Sequence, residues 1–538
     1  MSEKSVPESS LAKKPRRGWW RRVGWKMAVL LVLLAAGFYY EEKVRGRRAL
    51  ERAEAAYEAE GESLRAEDYL TKAPPVEENF GATPLLAGMM TGENPEDSRQ
   101  GAVRRRFFAL SPPHPDPARD PWELSRTAER KAEEKATKSA SRKSIRRDDN
   151  EGLTINWRSV REDMSRYGSR EPPEEESSDV RAVDAALESE RPLFDELAAA
   201  ASRPYAVLTP APAERADPLG SGGLLYFWRD WSRLIGTVRL RVLAAITLGR
   251  LQEAAGLAKV LWRLRDAGVA EGGLFAYWQA GAAGIAWNAC VCDIMRSSGS
   301  DDNILRTLQN HVPNDWSPER ELLQAARGGA AFAYADWRKV IAAAENSFTG
   351  DLYGFFKFRY IDQTKGALYS PSGWLSLSAA RDIDAGRVYQ IKPLRRLDFA
   401  VLPPVQSEKW EDNPSFWEAP WYLHAGRDST LEHSVSFPLK TRLMLLVLGM
   451  ERYRLRHGRY PARAAALVPE FLKAMPKDMD SRPLRVATSE DGARSVVYSI
   501  GWNMVDDWHG DVPEKFAGGV ERDADLTVSL PFPALPRP

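Results

Sequence analysis

With 538 residues, 43% of them hydrophobic and 28% charged, the chain is long enough for two or three domains with apolar cores of their own. A net charge of +1 gives it no general basic field, which argues against nucleic acid as a partner. Two cysteines, Cys290 and Cys292 in "NACVC", exclude a disulfide-stapled fold, and their spacing suits neither a disulfide nor a zinc site.

The first predicted elements are a basic tail over residues 1–24 and a transmembrane helix over residues 25–40. Met27 to Tyr40 is free of charge and about 21 Å long as a helix. Counting from Val23, with Lys26 turned toward the headgroups, gives about 27 Å, close to the roughly 30 Å of a hydrocarbon core. Trp19, Trp20 and Trp25 on one side and Phe38, Tyr39 and Tyr40 on the other match interfacial belts. Lys13, Lys14, Arg16, Arg17, Arg21, Arg22 and Lys26 precede the apolar run; Lys43, Arg45, Arg47 and Arg48 follow it, mixed with Glu41 and Glu42. That bias puts the N-terminus inside the cytoplasmic (inner) membrane and the bulk outside it. A cleaved signal peptide is the competing reading, because "AAG" at 35–37 supplies small residues. Bulky Phe38 and Tyr39 follow at once and the helical pattern runs on, which favours the anchor; either way the rest of the chain is exported.

Residues 41–110 read as a juxtamembrane helix stopping at Gly61, then an extended, proline-punctuated segment, "KAPPVEENFGATPLL". Residues 111–179 form a polar, mixed-charge insert expected to be largely disordered, interrupted by the amphipathic "LTINWRSVREDM". Residues 180–345 carry apolar side chains at helical spacing. Leu234, Val238, Val242, Ala245 and Leu248 mark one stripe, Gly249 a break, and Leu251 to Leu264 a second helix. Helices so joined form an αα-hairpin, and "LGRLQEAAGLAKVL" is similar to tetratricopeptide helix pairs, so an irregular helical array is expected. Tryptophans beside arginines, as in Trp262-Arg263, point to amphipathic packing at helix surfaces. Residues 346–435 read as an aromatic, irregular connector.

The fold class expected is thus mainly α, closed by a small α+β module over residues 436–538. A helix is predicted from Pro438 to His457, with Gly458 as its stop, Leu439, Leu443, Leu446, Met450 and Tyr453 buried, and Arg452, Arg454 and Arg456 solvated. Pro461 and Pro469 bound a short helix; strands follow, including 495–500 and 526–530. Tyr453, His457-Gly458, Tyr460-Pro461, Leu467-Val468-Pro469, Pro476-Lys477-Asp478, Pro483-Leu484, Tyr498-Ser499-Ile500-Gly501 and Asp506-Asp507 fall in one order. That order resembles the soluble half of type II secretion major pseudopilins. The remainder resembles large membrane-anchored envelope proteins of planctomycete and verrucomicrobial type, a likeness of layout that implies no activity. The pseudopilin resemblance implies calcium in the acidic loop, held here by Asp506, Asp507 and Asp511. The chain departs from that family in lacking its processing site, and its apolar run lies far from the pilin-like part, so reuse of the fold is expected rather than pilus assembly.

Phosphate-binding glycine loops, GxSxG and HExxH are absent from the sequence. His424 and His433, with Asp428 and Glu432, form the best acid–base cluster and the site of an alternative hydrolase reading. The function expected first is a membrane-anchored extracytoplasmic scaffold of the cell envelope, with no catalytic residue or organic cofactor assigned. Its partners are the membrane through residues 25–40 and an envelope protein or peptide on the helical array. The other alternative is an accessory part of a secretion or pilus-like system.

Overall fold

The computed structural model describes residues 17–90, 145–148, 152–155, 157, 161, 178–211, 221–297, 301–346, 372–387, 391, 395, 427–500, 506 and 526–531. The architecture is mainly helical. In chain order the helices are α1 (Arg17–Ala59), α2 (Pro84–Met90), α3 (Asp179–Glu188), α4 (Arg191–Ala200), α5 (Ser221–Thr247) and α6 (Leu251–Ala270). After them come α7 (Leu274–Arg296), α8 (Asp302–Gln309), α9 (Pro318–Asn346), α10 (Ser372–Gly386) and α11 (Arg427–His457). Strands β1 (Ile145–Asp148) and β2 (Gly152–Ile155) pair as an antiparallel hairpin, and β3 (Arg485–Thr488), β4 (Ser495–Ser499) and β5 (Leu526–Leu530) form a three-stranded sheet. Most of the polar insert and most of the aromatic connector lie outside the described residues.

The chain divides into two compact units. The first comprises residues 1–56, 337–381 and 414–421. In it α1 meets α10 at two glycines: a Cβ on Gly46 would lie 2.0 Å from the Gly373 carbonyl oxygen, and one on Gly373 2.4 Å from that of Glu42. No other residue permits backbones to approach so closely. Beside this crossing Trp374 Nε1 donates to the buried Glu42 carboxylate at 3.2 Å. No helix among the described residues is long and apolar enough to cross a membrane. In α1 the charge-free run is bounded by Lys26 and Glu41.

The second unit comprises residues 57–336, 382–413 and 422–538. It opens at the end of α1, where Gly61 takes φ +75° and the Gly61 and Glu62 amides donate to the Glu58 and Tyr57 carbonyls at 2.9 and 3.2 Å. This is a Schellman stop. Within the "ENFG" stretch Asn79, Phe80 and Gly81 are buried. Asn79 accepts from the Val207 amide at 2.8 Å and donates to its carbonyl at 2.7 Å, while Phe80 is wholly covered. A buried amide side chain satisfied at both ends pins this segment to residues 205–209.

Helices α5 and α6 form the expected αα-hairpin. Gly249 takes φ +76°, and the Gly249 and Arg250 amides donate to the Ile246 and Ala245 carbonyls at 3.0 and 2.8 Å, a second Schellman stop. Helix α7 packs on both α5 and α6, and α11 packs on α7. The Phe437 ring lies over Gly284, Asn288 Nδ2 donates to Thr441 Oγ1 at 3.2 Å, and Cys292 Sγ meets Met444 Sδ at 3.2 Å. Because these partners advance together, α7 and α11 run parallel.

Pro438 does not open α11 as expected; it lies inside it, the helix beginning at Arg427. At the other end Gly458 (φ +75°) caps the helix, its amide donating to the Arg454 carbonyl at 2.8 Å. Arg456 is exposed, but Arg452 is not solvated: it is buried, reaching Asp302 at 2.7 Å and Gln309 at 2.8 Å on α8. The segment bounded by Pro461 and Pro469 is a single 3-10 turn, Ala464–Leu467. Strand β4 is central and buried on both faces, with β3 and β5 antiparallel beside it.

Candidate functional site

Three places carry unusual chemistry. The first is the apolar run of α1. Every residue from Gly24 to Phe38 is exposed, Trp25 at 72%, Val32 at 66% and Leu33 at 64% among them. A helix apolar on all sides finds its partner in a core or in a bilayer. From Glu42 onward the pattern changes: Glu42, Gly46, Leu50 and Ala53 are buried, a single stripe at helical spacing.

The second is a carboxylate cluster in the closing module. The Asp478 carboxylate is buried and accepts from the Met479 amide (2.7 Å), the Ile500 amide (3.1 Å), Arg485 Nη1 (2.6 Å) and Ser499 Oγ. "PKD" and "YSIG", separate motifs in the sequence, therefore meet at one side chain. The same guanidinium reaches Asp480 at 2.8 Å and, through Nε, Asp506 at 3.2 Å. Burial pushes the Asp478 carboxyl up from its ordinary value, opposed by Ser499, the two amides and the charge of Arg485. Burial works against the Arg485 charge, yet Asp480, Asp478 and Asp506 hold its pKa above the usual guanidinium value. The lone pairs of these acids are thus directed at a resident cation.

The third is the interior around Arg265. Its guanidinium is buried, paired with Glu321 and with Asp266 at 2.9 Å, and its Cζ lies 5.1, 5.7 and 5.4 Å from the Trp262, Trp316 and Phe437 rings. Trp262 and Trp287 meet edge to face at 5.2 Å, and Trp287 Nε1 donates to His311 Nδ1 at 3.2 Å. That bond places the imidazole proton on Nε2. Burial, with Lys259 adding its charge, lowers the His311 pKa from 6.5 to about 3. The imidazole is thus a neutral member of this buried ring cluster. Of the Trp262-Arg263 pair, Trp262 is fully buried and Arg263 partly covered; Arg265, one turn's neighbour on the same helix, is buried because two carboxylates and three ring faces replace water.

Of the predicted metal ligands, Asp506 pairs with Arg485, and Asp507 and Asp511 lie outside the described residues. Among the described residues no group of three or more His, Cys, Asp or Glu is placed to hold a metal ion. His424 and the side chains of Asp428, Glu432 and His433 also lie outside the described residues. Sequence reasoning missed Arg485 and Arg265, since nothing local distinguishes them from solvated arginines. No protein-family model matches the chain, and comparison with curated proteins and with solved structures finds no match.

Proposed function

We propose that the chain is a membrane-anchored, extracytoplasmic scaffold of the cell envelope, held in the cytoplasmic membrane by residues 25–40, with the N-terminus inside. The observation that carries this reading is the unbroken exposure of Gly24 to Phe38 in α1, an apolar stretch on which nothing in the described chain packs. Its shortness for a hydrocarbon core is met by Lys26 reaching to the headgroups and by local thinning of the bilayer. The helical region from α3 to α9 supplies the platform for an envelope protein or peptide, as stacked αα-hairpins do. Reporter fusions after residue 60 should behave as exported, and the chain should stay with membranes after carbonate washing. Release into the wash, or a soluble product trimmed near Phe38, would overturn the anchor.

A second reading, an accessory part of a secretion or pilus-like system, is favoured by the meeting of the pseudopilin-like motifs at Asp478. Calcium at Asp506, Asp507 and Asp511 belongs to that reading. If it binds, millimolar calcium raises the melting temperature and Asp507→Ala abolishes the rise. An unchanged melting temperature removes the metal.

A further inference from the structure

We propose that residues 203–209, with the end of α6, form a recognition seat for an extended peptide, and that residues 71–83 of the chain itself fill that seat as a displaceable strap. The proposal rests on the scaffold reading and gives it a place and a partner chemistry: an extended, proline-flanked segment with an Asn-aromatic-Gly core. Between α1 and α2 the chain forms only 3-10 turns of three residues each, so contacts with other segments hold it in place.

Those contacts have the anatomy of a bound peptide. Asn79 has extended backbone and bridges in parallel to Tyr205. The Tyr205 amide donates to the Glu78 carbonyl at 3.1 Å, and the Phe80 amide to the Tyr205 carbonyl at 2.8 Å. Main-chain pairing of this kind is how extended peptides are captured generally. Arg203 Nη1 donates to two strap carbonyls, Val76 at 3.4 Å and Asn79 at 2.9 Å, and Thr71 Oγ1 to that of Ala270 at 2.9 Å. Selectivity is concentrated in three residues. Asn79 takes both main-chain groups of Val207, and Phe80 is wholly covered. A Cβ on Gly81 would lie 2.0 Å from the Val207 carbonyl oxygen, so only glycine fits. Before Asn79 the strap is open to solvent: Pro75, Val76, Glu77 and Glu78 are exposed, as is Tyr205 on the seat. A buried aromatic anchor inside an exposed rim is the arrangement in which few residues carry most of a binding energy. Pro74, Pro75 and Pro84 stiffen the flanks, which lowers the cost of ordering such a segment.

The test uses the full chain in detergent and a synthetic peptide of residues 71–90, read by hydrogen exchange. A tethered segment competes at an effective concentration on the order of millimolar, so the peptide is raised to several times that. Exchange at the strap's own Phe80 amide should then accelerate by about tenfold or more, because the displaced strap loses its partner at Tyr205. The Tyr205 and Val207 amides should keep their protection, since the incoming peptide covers them in turn. Peptides carrying Asn79→Ala or Gly81→Ala should change the Phe80 rate by less than about twofold; the first leaves the Val207 main chain unpaired and the second collides with it. No response at Phe80, or an equal response to the altered peptides, overturns the seat. Acceleration at Tyr205 and Val207 along with Phe80 also overturns it, because the strap would then open without being replaced. Protection gained on α3–α9 away from residues 203–209, with Phe80 unchanged, overturns the seat and leaves the platform standing. The anchor is tested separately by carbonate washing, so its failure would not alter the exchange result.

Discussion

In the folded chain the His311 imidazole accepts from Trp287 and is shut away from water, and its pKa falls from 6.5 to about 3. Within that window the unfolded chain binds a proton that the folded chain refuses. Stability is therefore full above the unfolded value and declines as pH drops toward the folded one, by up to about 1.4 kcal/mol per pH unit. Melting of the wild type and of His311→Gln should diverge less and less between about pH 7 and about pH 4, because the variant lacks the titration. A difference that stays constant with pH would show that His311 is not buried neutral. Arg485 makes the opposite kind of demand, since its loss strands a carboxylate. Arg485→Met leaves buried Asp478 without its cation and should cost about 3 kcal/mol. Hydrogen exchange of the β3 and β4 amides should accelerate accordingly, and Asp478→Asn in the same background should restore part of the protection. Unchanged exchange in Arg485→Met would mean that the amides and Ser499 suffice to hold Asp478.

At the scale of elements, what could be read from the sequence is what local rules decide. Gly61, Gly249 and Gly458 each stop a helix at positive φ, as their place after an apolar stripe announces. Strands β4 and β5 fall at the expected positions, 495–499 and 526–530. Pro438 misled because proline favours the first helical turn, where its missing N–H costs nothing; here the helix extends through it. Arg452 misled because its partners, Asp302 and Gln309, belong to another helix. Close approaches are likewise invisible in one strand of text. A Cβ on Gly284 would stand 2.1 Å from Phe437 Cε2, whereas one on Gly256 meets nothing within 4 Å. Gly284→Ala should therefore destabilise by about 1–3 kcal/mol through overpacking. Gly256→Ala should stabilise by about 0.5–1 kcal/mol through helix propensity. Thermal unfolding of the two variants should shift in opposite directions, and Phe437→Leu should relieve the first. Equal shifts would contradict the α7–α11 crossing.

On the scale of the whole chain, the two helical stretches expected as separate modules share an interior. An apolar stripe tells which face of a helix is buried but not which helix covers it, and Asn288 and Thr441 are 153 residues apart. In an open solenoid each repeat rests on its sequence neighbours, so losing a distant segment leaves the rest folded. Here α7 presents Gly284, Asn288 and Cys292 to Phe437, Thr441 and Met444 of α11, and Arg442 pairs with Glu319 at the start of α9. A chain ending before Arg427 would expose that apolar face and leave Glu319 without its guanidinium. Such a truncation should lose protection from hydrogen exchange throughout α7 and be cut there by protease, while the α5–α6 turn at Gly249 keeps its protection longer. Retention of full protection in α7 would mean that residues 180–345 fold as an independent array and that α11 merely rests on it. Loss confined to α7 and α9 would place the boundary of cooperative unfolding at the α6–α7 junction, where Gly272 and Gly273 both take positive φ.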